Sequence, residues 1–141
     1  RTRSSRPAAP CRNGDARPLA EKSKILWSPT SSAVAIDTRG RFYSYTAIWA
    51  LNPKSGAFVE AATPSYEAMT GHRLPEQKDL SPRGHQWAER WTADGKLVWR
   101  MHLTPAGNYQ GDDPMSYRVT LAVSAKGMKV VSHEAVPREE Q

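Results

Sequence analysis

The sequence predicts a mainly β protein of two four-stranded antiparallel meanders with a short helix between them. Segments 42–51 and 116–124 alternate strictly between large apolar and smaller or polar residues, as half-buried strands do. Turn signals rich in Gly, Pro, Asp and Ser separate such segments. The order of strands and turns over 24–61 is echoed over 87–135, which indicates an internal duplication. We expect the two meanders to pack as a sandwich or to form one continuous curved sheet.

Composition favours a single β domain preceded by a basic tail. The chain has 141 residues, and five Trp and five Tyr supply large apolar area although only 38% of residues are hydrophobic. We divide it into a tail over 1–23, a β domain over 24–136 and a frayed end over 137–141. The β domain consists of unit one over 24–62, a linker with a short helix over 63–86, and unit two over 87–136.

The tail carries most of the charge. Residues 1–18 contain no Ile, Leu, Val or aromatic residue, so we predict that they are disordered. Residues 1–24 hold seven basic and two acidic groups, a net charge of +5, whereas residues 25–141 hold thirteen and twelve, a net charge of +1. The β domain therefore lacks the basic excess typical of a fold that binds nucleic acid. Nor does the chain contain the ~20-residue apolar run of a membrane span.

Four strands are predicted in unit one. The turns between them contain Pro29, Gly40 and the segment 52–56, and the strands cover 24–28, 33–38, 42–51 and 57–61. The long third strand places two sets of side chains on opposite faces. One set is Tyr43, Tyr45, Ala47, Trp49 and Leu51, and the other is Ser44, Thr46, Ile48 and Ala50.

The linker and unit two follow. Pro64 and Gly71 bracket one or two predicted helical turns over 65–70, and the rest of 63–86 is predicted to be loop. The strands of unit two are predicted over 87–91, 96–103, 116–124 and 128–136, with a long polar loop over 104–115 and an Asp-Gly turn at Asp94. For a sandwich we expect an interior made of Trp27, Tyr45, Trp49, Trp99, Tyr117 and Leu121.

Short motifs in both units resemble those of a known family. Trp27-Ser28-Pro29, the strand ending at Leu51 and the turn 52–56 are similar to a blade of the WD40-like propellers of the TolB type, and Trp91 to Leu97 resembles the same opening turn in a second blade. The resemblance implies binding through loops and blade faces and carries no catalytic residue. A closed ring needs ~4 blades or more, so two units would complete one only by oligomerisation.

No motif for catalysis, a metal or a cofactor was found. His72, His85, His102 and His133 lack the close pairing of zinc ligands, and we expect them at the surface. The acidic pair Asp112-Asp113 lacks the alternating spacing of a calcium loop. Serines occur outside any Gly-x-Ser-x-Gly elbow. We therefore expect no cofactor and no enzymatic activity.

These observations predict a non-enzymatic protein-binding module of the inhibitor, immunity or assembly-accessory kind. Its partner would meet loops and a sheet face, and we expect it outside the cytoplasm or on a large assembly. The candidate binding residues are an aromatic residue at a loop edge and the polar loop, namely Trp87, Asn108, Tyr109, Asp112 and Asp113.

The alternative is an RNA- or assembly-associated protein that uses its tail. The tail arginines are Arg1, Arg3, Arg6, Arg12 and Arg17. Phosphate contacts from such residues predict an affinity that falls steeply with salt. The sequence leaves the oligomeric state open.

Overall fold

The protein folds into two four-stranded antiparallel sheets that follow one another along the chain. The structure is a computed structural model, and it describes residues 23–40 and 44–137. In each sheet every strand pairs with its neighbour in sequence. The sheets are not closed into a barrel. The predicted mainly β fold with two four-stranded meanders is therefore confirmed.

The first sheet begins at the first predicted strand. Its strands are β1 (Lys24–Trp27), β2 (Ala33–Arg39), β3 (Ser44–Leu51) and β4 (Phe58–Glu60). The turn between β1 and β2 depends on Ser28, whose hydroxyl accepts hydrogen bonds from the backbone N–H groups of Ser32 and Ala33 at 3.2 and 3.1 Å. A side chain that satisfies turn amides stabilises this reversal of the chain.

A short helix separates the sheets, close to the predicted position. Helix α1 (Tyr66–Thr70) begins after Ser65, whose hydroxyl accepts a hydrogen bond from the Ala68 N–H at 3.1 Å. It ends at Gly71, which has a φ of +80°, a conformation that glycine adopts without steric cost. The second sheet then contains β5 (Leu80–Trp91), β6 (Leu97–Pro105), β7 (Ser116–Ser124) and β8 (Gly127–Ala135).

Strand β5 corrects the prediction for the linker. It begins at Leu80, whereas the sequence predicted loop up to residue 86. The misleading signals were Pro82 and Gly84, which normally interrupt strands. They are tolerated because β5 is an edge strand and its pairing with β6 is irregular between Leu80 and Gly84. Proline is compatible with edges and bulges, where its missing N–H leaves no ladder bond unmade.

The hydrophobic core lies mainly in the second sheet. The second sheet and α1 contribute nine core residues: Tyr66, Met69, Ala88, Leu97, Trp99, Met101, Tyr117, Val119 and Leu121. Ala35 and Ile48 are the contribution of the first sheet to this cluster. Trp99, Tyr117 and Leu121 are buried as predicted.

The predicted interior of the first sheet is wrong. Trp27 and Tyr45 are 53% and 49% exposed, and Trp49 is only half-buried. The opposite face is the buried one, and its buried residues are Ala33, Ala35, Asp37, Ser44, Ile48 and Ala50. This face packs against β5. The polar members of this face, Asp37 and Ser44, bond to the β5 backbone.

Candidate functional site

The inner face of the first sheet is committed to holding β5. Asp37, only 6% exposed, accepts the Ala88 backbone N–H through both carboxylate oxygens at 3.0 Å. Asp37 also accepts a hydrogen bond from the Thr46 hydroxyl at 2.6 Å. Lys24 Nζ lies 3.6 Å from the Asp37 carboxylate and donates a hydrogen bond to the Ala88 carbonyl at 3.0 Å. A buried carboxylate with this set of donors satisfies an edge strand that would otherwise leave polar backbone groups unpaired.

Further bonds extend this junction along β5. The Ser44 hydroxyl donates to the Gln86 carbonyl at 3.0 Å and accepts the Gln86 N–H at 3.2 Å. Trp99 Nε1 donates to the Thr46 hydroxyl at 3.0 Å. Because these side chains are fully engaged, the inner face is structural, and the opposite face of the sheet is the one exposed to solvent.

The outer face of the first sheet is apolar and exposed. By the strand register its members lie on the side opposite Asp37 and Ser44. Four of its large side chains are well exposed: Ile25 at 57%, Trp27 at 53%, Tyr45 at 49% and Phe58 at 38%. We call this surface the outer face, and its apolar strand residues are Ile25, Trp27, Val34, Ile36, Tyr45, Ala47, Trp49, Leu51 and Phe58.

Two aromatic rings of the outer face contact each other. Trp27 and Phe58 meet edge to face, with ring centroids 5.8 Å apart at 80°. Val34, which lies between Trp27 and Trp49 in the register, is only 6% exposed although it points outward. Among the strand residues described on this face, Glu60 is the one charged side chain. The surface is therefore close to neutral and partly preorganised.

The exposed area is of the size used for recognition. Four side chains of ~200 Å² each, about half exposed, present roughly 400 Å² of apolar surface. Apolar patches of about 300–600 Å² are often functional in monomeric proteins. The roughly 400 Å² of the outer face is about half of the ~800 Å² that each partner buries in a standard protein interface.

The structure does not bring the predicted binding residues into one site. Trp87 lies half-buried on the side of the second sheet that faces away from Tyr117, with the guanidinium carbon of Arg100 5.2 Å from its ring centroid. Asn108 and Asp112 are exposed in the loop between β6 and β7, and Tyr109 and Asp113 are half-buried there. The predictions for these five residues remain untested.

Asp113 has a defined structural task in that loop. It accepts hydrogen bonds from the hydroxyls of Tyr66 (2.8 Å) and Tyr117 and from the Met115 N–H (2.9 Å). Burial, reinforced by the hydrogen bond to Asp113, raises the pKa of Tyr66 and of Tyr117 above the ordinary tyrosine value. Asp113 thus ties the loop to α1 and β7, while Tyr109 and Asp112 line a groove of about 440 Å³ beside it.

His133 is exposed as predicted, but the other three histidines are less exposed than the sequence suggested. His102 is 4% exposed, which corrects the surface prediction for this residue, and its ring lies 5.5 Å from that of His85. Burial, together with Arg39 and Arg83, lowers the pKa of His85. Within residues 23–40 and 44–137, no three potential ligands cluster in a way that could hold a metal ion.

Sequence reasoning missed a serine–histidine contact. Ser44 Oγ lies 3.2 Å from His85 Nδ1, across 41 positions in sequence. The Ser44 proton is already directed to the Gln86 carbonyl, and Ser44 is only 7% exposed. An activated nucleophile needs its proton on the base and access to substrate, so this contact is better explained as part of the β5 junction.

Comparison with known proteins gives no further guide. No family model, no curated protein and no solved structure matches the chain, so the resemblance to propeller blades stays a prediction. No described helix has the length and apolar character needed to cross a bilayer. Arg1, Arg3, Arg6, Arg12 and Arg17 of the tail alternative lie outside the described residues. The predicted disorder of residues 1–18 and the predicted fraying of residues 138–141 also fall outside them.

Proposed function

We propose that this protein is a non-enzymatic protein-binding module and that the outer face of the first sheet is its binding surface. The observation that carries the proposal is the alignment of Ile25, Trp27, Tyr45 and Phe58, all 38% exposed or more, on one face of one sheet. Exposed apolar residues scattered singly are normal in soluble proteins, but a contiguous patch indicates an interaction site.

The chemistry of the surface indicates the kind of partner. Tryptophan and tyrosine are enriched among residues that dominate binding energy, because they offer large rigid area with a polar atom at the rim. With Glu60 as its one described charge, the outer face suits a partner surface that is also apolar and weakly charged. Steering by long-range electrostatics is not expected, so association should depend only weakly on salt.

The test is affinity capture from the source extract with face variants of the full chain. Trp27→Ser and Tyr45→Ser should each reduce the amount of a stoichiometric protein partner that is retained by tenfold or more. Val131→Ser is the matched control, because Val131 is also 53% exposed but lies on β8 of the other sheet. If both face variants retain the partner as well as the control does, the outer face is not the binding surface.

A second arm addresses the basic tail, which concentrates +5 of the charge in residues 1–24. The tail variant replaces Arg1, Arg3, Arg6, Arg12 and Arg17 with Gln in the full chain, and each sample is compared with and without nuclease. Under our proposal the tail variant retains the partner and nuclease has no effect. Loss of the partner in the tail variant and after nuclease treatment of the wild-type chain would instead favour the nucleic-acid alternative.

A further inference from the structure

The two sheets also line a cleft that shares only Leu51 with the outer face. It lies where the β3–β4 turn of the first sheet meets the β7–β8 turn of the second, and its volume is about 680 Å³. Small-molecule sites in proteins typically fall between about 300 and 1,000 Å³. Ala50, Leu51 and Val123 supply apolar wall.

Two lysines from equivalent turns line this cleft. Lys54 follows Asn52, whose side-chain oxygen accepts the Lys54 backbone N–H at 2.9 Å. Lys126 follows Ser124, whose hydroxyl accepts the Lys126 N–H at 3.1 Å. Each turn is thus fixed by a side chain two positions before its lysine, and the duplication of the four-stranded unit brings the two lysines to one cleft.

The charge of the cleft has a single sign. Lys54 and Lys126 are exposed, and no Asp or Glu is among the described residues that line it. Each ammonium group therefore lacks a carboxylate within the cleft lining, where an anionic group of a ligand would be attracted by both. The apolar wall alongside would cover a hydrocarbon chain attached to that anionic group.

We propose that this cleft binds a small organic anion with an aliphatic chain, an alkyl carboxylate in its simplest form. The carboxylate is held by Lys54 and Lys126, and the chain lies against Ala50, Leu51 and Val123. Neither end of such a ligand suffices alone. A short carboxylate lacks the apolar contact, and an alkyl cation is repelled by the lysines.

The experiment is a titration of the ¹⁵N-labelled full chain with octanoate, followed by amide chemical shifts. We expect saturable shifts confined to residues around 50–54 and 123–126. Acetate should cause none of them, and octylammonium should bind at least tenfold more weakly than octanoate. Shifts centred on Trp27 and Tyr45 would instead identify binding to the outer face and overturn the proposal, as would the absence of saturable binding.

Lysine variants complete the test. The double variant Lys54→Gln with Lys126→Gln should weaken octanoate binding at least tenfold. Lys78→Gln is the control, since Lys78 is highly exposed and lies in the 3-10 turn Gln77–Asp79, outside the cleft lining. Both lysine side chains of the cleft are exposed, so the double variant should keep the spectrum of the folded protein. Unchanged octanoate affinity in this variant overturns the proposal.

Discussion

The two sheets share one strand order but distribute their side chains in opposite ways. The second sheet turns Trp99, Val119 and Leu121 inward, each 1% exposed or less. Its other side carries Glu89, Arg100 and Arg118, joined by ion pairs of 2.8 and 3.4 Å. The first sheet hides small and polar residues and presents its large rings to solvent.

Under our proposal, this difference assigns stability to one sheet and recognition to the other. The second sheet and α1 supply most of the buried core, so substitutions there should lower stability most. The first sheet is attached to that core through the polar junction at Asp37 and Ser44, and the large side chains of its outer face remain exposed. The comparison predicts that equally drastic substitutions in the two sheets will have very different effects.

The largest expected loss of stability comes from replacing the buried tryptophan of the second sheet. Trp99→Ala should lower the free energy of unfolding by about 3–5 kcal/mol, because it leaves a large cavity in the core. It also removes the bond from Trp99 Nε1 to Thr46. Trp27→Ala, in the first sheet, should cost roughly 1 kcal/mol or less, since half of that side chain is already in water. Urea unfolding of both variants makes the comparison, and equal losses would contradict it.

Next in size is the junction that joins the sheets. Asp37→Ala leaves the Ala88 N–H and the Thr46 hydroxyl without their acceptor, and Lys24 without its ion pair. Unsatisfied buried donors cost about 1–3 kcal/mol, so this loss is expected in urea unfolding. Asp94→Ala is the matched control, because the Asp94 side chain is 70% exposed in a turn and its loss should change stability little. An Asp37 variant as stable as the control would show that the junction does not hold the sheets together.

The sequence predicted the strands better than the faces. Alternation and turn residues located β7 to the residue and most other strands to within two residues, because these signals are local. Which face of β3 is buried depends on β5, some 40 residues away, and both faces of β3 contain apolar residues. The prediction of inward-facing rings follows from the usual burial of aromatic residues. Asp37, which the register places opposite Thr46, is a charged residue on the inner face and indicates that polar groups there have partners.

The charged side of the second sheet should give a smaller, pH-dependent effect. The hydrogen bond from Arg118, and Arg100 nearby, lower the pKa of Glu89 below its ordinary value of 4.5. A carboxylate with a lowered pKa stabilises the fold above its ordinary pKa, and this stabilisation is lost as the pH falls through the lowered value. Glu89→Gln should therefore lower the free energy of unfolding at pH 7 by about 1 kcal/mol, the upper end for a partly exposed ion pair, and by progressively less at acid pH.

Unfolding midpoints measured between pH 2.5 and 7 test this sign. Glu67→Gln, on the exposed side of α1, is the control and should be close to wild type throughout. If the difference between wild type and Glu89→Gln were constant over this pH range, the ion pairs of Glu89 would not contribute to stability.

The smallest effect concerns the outer face itself. An edge-to-face ring pair contributes about 0.5–1.5 kcal/mol beyond its buried area, and solvent exposure places Trp27 with Phe58 at the lower end. A double-mutant cycle with Trp27→Ala and Phe58→Ala should therefore give a coupling free energy of about 0.5 kcal/mol. A cycle of Trp27→Ala with Val131→Ala, on the other sheet, should be additive within about 0.3 kcal/mol. Coupling in the first cycle alone means that the rings are held in place before a partner arrives, which lowers the entropy lost on binding. Zero coupling in both would mean that the rings are ordered only by the partner.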